Sequence, residues 1–180
     1  MPFCPAKSFP ILMKSKILVS ACLMGFRVRY NGCDKHAVLD ALEQLRQENR
    51  LVICCPEQAA GLPTPRLPAE ICGGEGDDVL AESAVILESD GHDVTAVYLK
   101  GARLALQVAQ QSGCRFALLT DGSPTCGSQT IYRGDFSGQQ INGSGVAAAL
   151  LRRHGIELFS EQQIPQLVAR VAAADSVPDA

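Results

Sequence analysis

Three short apolar runs most constrain the fold that this chain can adopt. They are KILVSA (16–21), LVIC (51–54) and RFALLT (115–120). Runs of this length and composition predict buried strands. Apolar residues at helical spacing between them predict helices over 36–50 and 93–113. Strands alternating with helices favour a Rossmann-like three-layer α/β fold, a mainly parallel open sheet with helices on both faces.

The remaining segments extend this pattern. Two further strands are predicted at 84–88 and 156–160, and a helix is predicted to open at Val146 after a glycine-bearing turn. A loop with three prolines (61–70) and a glycine-rich stretch (73–78) are predicted to lack helix and strand. A capping box formed by Ser160 and Gln163 predicts the start of a last helix.

The length of 180 residues suits a single hydrophobic core. We expect one α/β domain over residues 15–172, with an N-terminal extension at 1–14 and a flexible tail at 173–180. The glycine turn before Val146 could bind an anion at the helix start or act only as a turn.

Composition excludes several classes of protein. Hydrophobic residues make up 47% of the chain and charged residues 19%, as in an ordinary globular protein. The formal net charge is −3 and no Lys/Arg cluster is present, so large nucleic acid is not an expected partner. No apolar stretch approaches the roughly 20 residues of a membrane span, and the N-terminus is a poor signal peptide. We therefore expect a cytoplasmic protein.

Three of the eight cysteines follow predicted strands, each in a loop containing glycine or proline. Cys22 and Cys55 follow the first two strands, and Cys126 lies six residues beyond the third. Ligands of open α/β sheets bind at the carboxyl ends of strands, so these thiols can meet at one edge. Cysteine is also a common buried apolar residue, and packing alone would explain some of the eight. We expect the adjacent Cys54 to pack in the core, because neighbouring strand residues point to opposite faces.

The spacing of these thiols argues for one kind of metal site over another. Structural zinc sites use four ligands, usually in paired Cys-x-x-Cys motifs that this chain lacks. A four-iron cluster uses one thiolate per iron, so three cysteines would leave one iron open to a sulfur-containing ligand.

Several motifs make the sequence resemble a known family. They are VSACLMG (19–25), RYNG (29–32), CPEQAAGLPTPR (55–66), DGSPTCG (121–127), FSG (136–138) and GVAAALLRRHGI (145–156). Over roughly residues 16–161 the chain resembles the bacterial domain family labelled DUF523, which includes thiouracil desulfidases. The resemblance implies a [4Fe-4S] cluster bound by Cys22, Cys55 and Cys126. It also implies an enzyme that removes sulfur from a small thiolated nucleobase, such as 2-thiouracil, and releases sulfide while water replaces sulfur on carbon.

Such a reaction requires a proton donor and acceptor, and Glu57 is the nearest candidate. It lies two residues from Cys55, where desolvation beside a cluster would raise the pKa of its carboxyl group. A solvated loop carboxylate or a helix cap is the plainer interpretation of the same residue.

Four other residues are candidates for the site. Ser123, a second candidate catalytic residue, and Thr125 could orient the substrate or hold the turn around Pro124. Asn31 could bind a ring edge or cap a local turn. Arg66 could hold a substrate carbonyl, balance the charge of the cluster or form a surface salt bridge.

The expected partners are a small thiolated heterocycle and the iron–sulfur assembly machinery. Two other functions use the same cluster. One is a non-catalytic protein that senses iron or redox state, and the other is a sulfur-trafficking factor for tRNA thiolation. The absence of a basic stripe counts against direct RNA binding by the second.

Overall fold

The structure is a computed structural model that describes residues 14–24 and 35–177, with only the backbone described for 35–39. Its strands are β1 (Lys16–Ser20), β2 (Leu51–Cys54), β3 (Ala69–Cys72), β4 (Val85–Glu88), β5 (Cys114–Leu119), β6 (Thr130–Tyr132), β7 (Gln140–Asn142) and β8 (Glu157–Ser160). Its helices are α1 (Ala21–Met24), α2 (Lys35–Gln47), α3 (Pro56–Ala59), α4 (Gly76–Leu80), α5 (Thr95–Gln111), α6 (Val146–Arg153) and α7 (Ile164–Ser176), with a 3₁₀ turn at Glu161–Gln163.

The central sheet has four parallel strands in the order β2-β1-β5-β8. Its middle strands are almost wholly buried, as their apolar composition predicts. Helices α5 and α6 cover one face around Leu18 and Ala117, and helices α2 and α7 cover the other around Val19 and Phe116. Alternate residues of each strand therefore enter different cores. The predicted three-layer α/β fold with a mainly parallel sheet is confirmed.

The predicted strand at 84–88 does not join this sheet. It forms β4, which pairs antiparallel with β3, and β3 begins at Ala69 inside the segment predicted as loop. A second antiparallel pair, β6 and β7, was not predicted from the sequence. Both pairs flank the carboxyl edge of the parallel sheet and add walls to the space beyond it.

The glycine-rich stretch 73–78 is not simply flexible chain, because α4 begins within it at Gly76. A capping box explains the helix: the Glu75 and Asp78 side chains each accept a hydrogen bond from the backbone of the other residue. The capping box predicted at Ser160 and Gln163 is present before α7.

Helix α7 continues to Ser176, past the expected domain end at residue 172. Asp175 accepts hydrogen bonds from Ser15 and forms an ion pair with the buried Arg50. These contacts hold the last turn of α7 against the segment that precedes β1. Within the described residues, no helix combines the length and the apolar character that a membrane span requires.

Candidate functional site

The three cysteines lie at the carboxyl ends of three adjacent strands and line one cavity of about 220 Å³. Cys22 lies in α1 directly after β1, Cys55 joins β2 to α3, and Cys126 lies in the turn that follows β5. The parallel sheet thus brings together residues that are up to 104 positions apart in the sequence. The geometry puts all three thiols on one concave surface.

The thiols differ in their surroundings. Burial raises the pKa of the Cys126 thiol to about 12, although a hydrogen bond with the Ser20 side chain acts in the opposite direction. Cys22 is exposed, and its Sγ lies 2.7 Å from Thr120 Oγ1. A buried thiol with a raised pKa is a poor nucleophile as a free thiol, and it would bind a metal as the thiolate.

The donor set fits an iron–sulfur cluster. Among residues 14–24 and 35–177, no three His, Cys, Asp or Glu side chains are close enough to hold one common metal ion. In a cluster, by contrast, each thiolate binds a different iron, so the sulfur atoms need not converge on one point. Three soft donors around one cavity therefore fit a cluster better than a structural zinc site, which needs four ligands around one ion.

Cys54 differs in part from the prediction. It is buried in the core beneath α5, as expected of a packing residue, yet it also lines the cavity with Cys55. Strand alternation does not separate the two side chains fully, because β2 ends at Cys54 and the chain turns into α3 at Cys55. The pKa of the Cys54 thiol is raised by burial and by the neighbouring Cys55.

Glu57 is a buried carboxylate with two partners. Thr125 Oγ1 donates a hydrogen bond of 2.7 Å to Glu57 Oε1, and Arg66 forms an ion pair with Oε2. Thr125 itself is fully buried. Both contacts stabilise the charged carboxylate and oppose the effect of desolvation that the sequence suggested. Glu57 is thus neither a solvated loop residue nor a helix cap.

Ser123 serves the turn that carries Cys126. Its Oγ accepts hydrogen bonds from the backbone N–H groups of Thr125 and Cys126, at 3.1 and 3.0 Å. At the other end of the turn, Asp121 Oδ1 accepts hydrogen bonds from the backbone N–H groups of Ser128 and Gln129 and from the Ser128 hydroxyl. The Ser123 hydroxyl also lines the cysteine cavity, so holding the turn does not remove it from the site.

The glycine turn before α6 also supports this loop. A Cβ added at Gly145 would lie 2.5 Å from the Thr125 carbonyl group, so only glycine permits the approach. The N–H groups of Val146 and Ala147, at the start of α6, donate to the carbonyls of Pro124 and Thr125. The helix start therefore binds the site loop and leaves no such donors for an anion.

A second cavity of about 820 Å³ adjoins the first, and the two share Glu57 and Arg66 as lining residues. Aromatic and proline side chains supply much of its surface: Pro65, Pro68, Tyr98, Pro124, Tyr132 and Phe136. The Glu57–Arg66 ion pair therefore lies at the boundary between the larger cavity and the cavity of the thiols. The arrangement can admit a flat apolar molecule and present it to the cysteines.

Some residues of the site were not found by sequence reasoning. Ser20 ends β1 and Thr120 directly follows β5, and both line the cavity of the thiols, so their position at a strand end could have identified them. Tyr98 lies at core spacing on α5, which gives no sign that it lines the larger cavity. The predicted substrate-binding residue Asn31 lies outside the described residues.

Comparisons with known proteins agree on one family. The sequence model of the 2-thiouracil desulfurase family matches residues 17–163. The chain is 45% identical to the uncharacterised protein YbbK of Bacillus subtilis over 152 residues, covering 84% of this chain and 99% of the relative. A solved structure titled as the [4Fe-4S]-dependent thiouracil desulfidase TudS is 48% identical, with a TM-score of 0.74, over 89% of this chain and 99% of that one.

Proposed function

The chain belongs to the 2-thiouracil desulfurase family, and on that basis we propose that it is a [4Fe-4S]-dependent desulfidase. Its substrate is a small thiolated nucleobase such as 2-thiouracil. Water replaces the sulfur on the ring carbon, so the products are the corresponding carbonyl compound and sulfide. The observation that carries the proposal is the single cavity lined by Cys22, Cys55 and Cys126.

Cys22, Cys55 and Cys126 are the proposed cluster ligands. When bound through three thiolates, the cluster supplies one iron without a protein ligand, a soft Lewis acid suited to the sulfur of a thiocarbonyl group. Cys54 lines the same cavity but is set deeper in the core, and we assign it a packing role.

Glu57 is the proposed proton acceptor and donor. Its carboxylate borders both cavities and is held from two sides, by Thr125 and by Arg66. A group held in one geometry can accept a proton from water that attacks the ring carbon and return it to the product. Ser123 borders the same cavity and is the second proposed catalytic residue, oriented toward the substrate by the turn that it holds.

Arg66 is a proposed substrate-binding residue, together with Asn31, whereas Thr125, which is fully buried and donates to Glu57, acts on the substrate through that carboxylate. The Arg66 guanidinium has more donors than its ion pair with Glu57 uses, so it can also hold a substrate carbonyl oxygen. The apolar chamber beside it excludes water from one side of the ring. We also propose that the iron–sulfur assembly machinery loads the cluster in the cytoplasm.

Anaerobic purification followed by iron and sulfide analysis tests this proposal, with 2-thiouracil added afterwards. We expect about four irons per chain, conversion to uracil and release of one sulfide for each uracil formed. Alanine variants at Cys22, Cys55 and Cys126 are expected to lose iron, whereas Cys114→Ala, a matched control far from the cavity, is expected to retain it. Iron binding by all three variants at the wild-type level would refute the ligand assignment.

Turnover also separates the proposal from the two other functions of such a cluster. A protein that only senses iron or redox state would load the cluster without converting 2-thiouracil. A sulfur-trafficking factor would transfer sulfur to tRNA, and binding of tRNA at moderate salt would support it. Cluster loading without sulfide release would therefore exclude the desulfidase.

A further inference from the structure

Phe136 is a partly exposed aromatic residue in the turn between β6 and β7, and it lines the larger cavity. Of its surface, 39% is exposed, and within residues 14–24 and 35–177 its ring stacks on no other aromatic ring. A single exposed apolar residue is ordinary on a protein surface. The case for a function of this ring therefore depends on how the backbone beneath it is held.

The backbone of Phe136 lies in the left-handed region, with φ at 55°. Glycine and asparagine adopt this conformation readily, whereas a bulky side chain makes it unfavourable. Residues held in such a conformation persist only where the surrounding structure fixes them, and they cluster at sites that bind ligands. A phenylalanine at this position costs local stability, which indicates that its ring has a function.

The turn that carries Phe136 is fixed to β3 at several points. Glu70, buried on β3, accepts hydrogen bonds from the N–H groups of Gly134 and Phe136, at 2.8 and 3.0 Å. The Cys72 thiol donates to the Gly134 carbonyl oxygen, with 3.1 Å between the two atoms. A Cβ added at Gly134 would overlap the Ile71 carbonyl oxygen, so only glycine permits this approach of turn and strand. The turn is therefore held firmly enough to keep the strained backbone in place.

The remaining wall of the larger cavity suits a flat ring. Phe136 shares this wall with the flat or rigid side chains of Pro65, Pro68, Pro124 and Tyr132. The same cavity extends to Glu57 and Arg66, at the boundary with the cavity of the thiols. An aromatic face in such a wall can stack on a nucleobase, because every base has a π face.

We propose that Phe136 is a specificity-determining residue that stacks on the ring of the thiolated base. The left-handed turn fixes the place of the aromatic ring in the cavity wall, and the ring selects substrates that are flat and aromatic. This inference rests on the proposed function, because it takes the ligand of the cavity to be the nucleobase substrate. Stacking acts on bound substrate and on the transition state alike, so it bears on KM and not on kcat.

Phe136→Asn tests the stacking, because asparagine removes the ring and still adopts the left-handed backbone. In the cluster-loaded enzyme, KM for 2-thiouracil should rise about tenfold, within the range that loss of a base–aromatic stack produces, and kcat should stay within about twofold. The urea midpoint of unfolding should equal or exceed that of the wild type, because the substitution relieves strain. Phe136→Tyr, which keeps the aromatic face, should retain the wild-type KM within about twofold.

The matched control is Ile141→Thr on β7 of the same hairpin. Ile141 is also 39% exposed, but it lines neither the larger cavity nor the cavity of the thiols. Threonine suits a strand and removes apolar surface, so the control should keep the wild-type KM.

A second ligand separates stacking from other contacts. The compound 5,6-dihydro-2-thiouracil keeps the thiocarbonyl and carbonyl groups of 2-thiouracil, but its ring is puckered and not aromatic. Calorimetric titration of the loaded protein should show that the wild type binds 2-thiouracil about tenfold more tightly than the dihydro compound. Phe136→Asn should lose most of this preference, and Ile141→Thr should keep it.

Two sets of results would overturn the inference. One is a wild-type KM and an unchanged preference in Phe136→Asn, and the other is an equal rise of KM in Phe136→Asn and Ile141→Thr. A ring that only packs the hairpin would instead lower the urea midpoint and leave both dissociation constants unchanged. A wild-type protein that loads its cluster but converts no 2-thiouracil refutes the proposed function, while the titrations still test whether Phe136 stacks on the base.

Discussion

At the scale of single residues, the site depends on polar side chains that are buried and paired. Glu57 lies between the buried Thr125 hydroxyl and the Arg66 guanidinium, and Arg66 also lines both cavities. Such a network holds its members in one geometry only if each is satisfied. The position of the Glu57 carboxylate therefore depends on Thr125 and Arg66.

Glu57→Gln tests whether the carboxylate transfers protons. The amide retains the size of the side chain and can still accept from Thr125, but it cannot take a proton from water. We expect kcat per cluster for 2-thiouracil to fall by about 100-fold or more, the usual contribution of a general acid–base group. Iron content should equal that of the wild type, because no thiol is changed.

The control is Glu82→Gln, which changes an exposed carboxylate in the turn between α4 and β4. It should leave kcat unchanged. Unaltered turnover in Glu57→Gln would mean that another group, with Ser123 the next candidate, handles the proton.

At the scale of elements, the carboxyl edge of the sheet could be predicted from the sequence, and the walls around it could not. The runs before Cys22 and Cys55 are long enough and apolar enough to be read as strands without knowledge of the fold. The hairpin of β6 and β7 has three-residue strands, and β7 is wholly exposed, so no alternation marks it. Its position depends on a distant side chain, Glu70, which local sequence cannot reveal.

The pairing of Glu57 with Arg66 could not be predicted for the same physical reason. The two residues are nine positions apart, with part of the proline-rich loop between them, and the ion pair forms because that loop brings Arg66 back to α3. The sequence identified both residues as candidates by their distance from Cys55 and by the stiffness of the loop. It gave no information on Thr125 as the second partner of the carboxylate, 68 positions away.

Glu70 anchors the hairpin that carries Phe136 into the larger cavity. This buried carboxylate accepts hydrogen bonds from the backbone N–H groups of Gly134 and Phe136, at 2.8 and 3.0 Å. Glu70→Ala removes the Oε2 atom that accepts both hydrogen bonds. We expect amide hydrogen exchange at Gly134 and Phe136 to rise about tenfold or more, because a lost hydrogen bond to a charged group costs about 1.5–3 kcal/mol. Hydrogen exchange with mass spectrometry over residues 130–142 measures it.

Asp135→Ala is the matched control for the hairpin. Asp135 lies in the same loop, is exposed, accepts a hydrogen bond from the Ser137 N–H and forms an exposed ion pair with Arg133. It should leave exchange at Gly134 and Phe136 close to that of the wild type. Equal exchange in the two variants would show that the hairpin is held by its own strands and not by Glu70.

At the scale of the whole molecule, α5 and α6 join the parallel sheet to the antiparallel walls. Ala105 and Ala109 of α5 pack on the sheet, while Tyr98 and Ala102, earlier on the same helix, pack against β3 and β4. Small residues on this face allow close packing of the helix against both layers. The two cavities lie where these layers meet, so the site is built by the assembly of the whole domain.

A cluster of polar contacts, here called the clasp, joins α7 to the amino ends of β1 and β2. In it, Asp175 of α7 accepts hydrogen bonds from Ser15 N–H and Oγ–H and forms an ion pair with Arg50. Burial acts to raise the pKa of Asp175, but the Ser15 hydrogen bonds and the Arg50 charge outweigh it and hold that pKa below its ordinary value of 3.8. A carboxyl group with a lower pKa in the folded state adds stability above its unfolded pKa, and this contribution is lost as the pH falls through the folded pKa. The clasp should therefore act fully at neutral pH and weaken only below about pH 3.8.

Asp175→Asn tests the clasp through urea unfolding across a range of pH. At pH 7 the substitution should lower the free energy of unfolding by about 1–3 kcal/mol, because it removes the charge that Arg50 and Ser15 bind. The difference from wild type should stay constant down to about pH 5 and shrink below pH 3.8, where the wild-type carboxylate takes up its proton. The control is Glu157→Gln, which breaks an exposed ion pair between β8 and Arg170 of α7, the helix that carries Asp175. Its free energy of unfolding should stay close to that of the wild type at every pH. A difference for Asp175→Asn that stays the same from pH 7 to pH 3 would show that the clasp stabilises the domain by packing and not by charge.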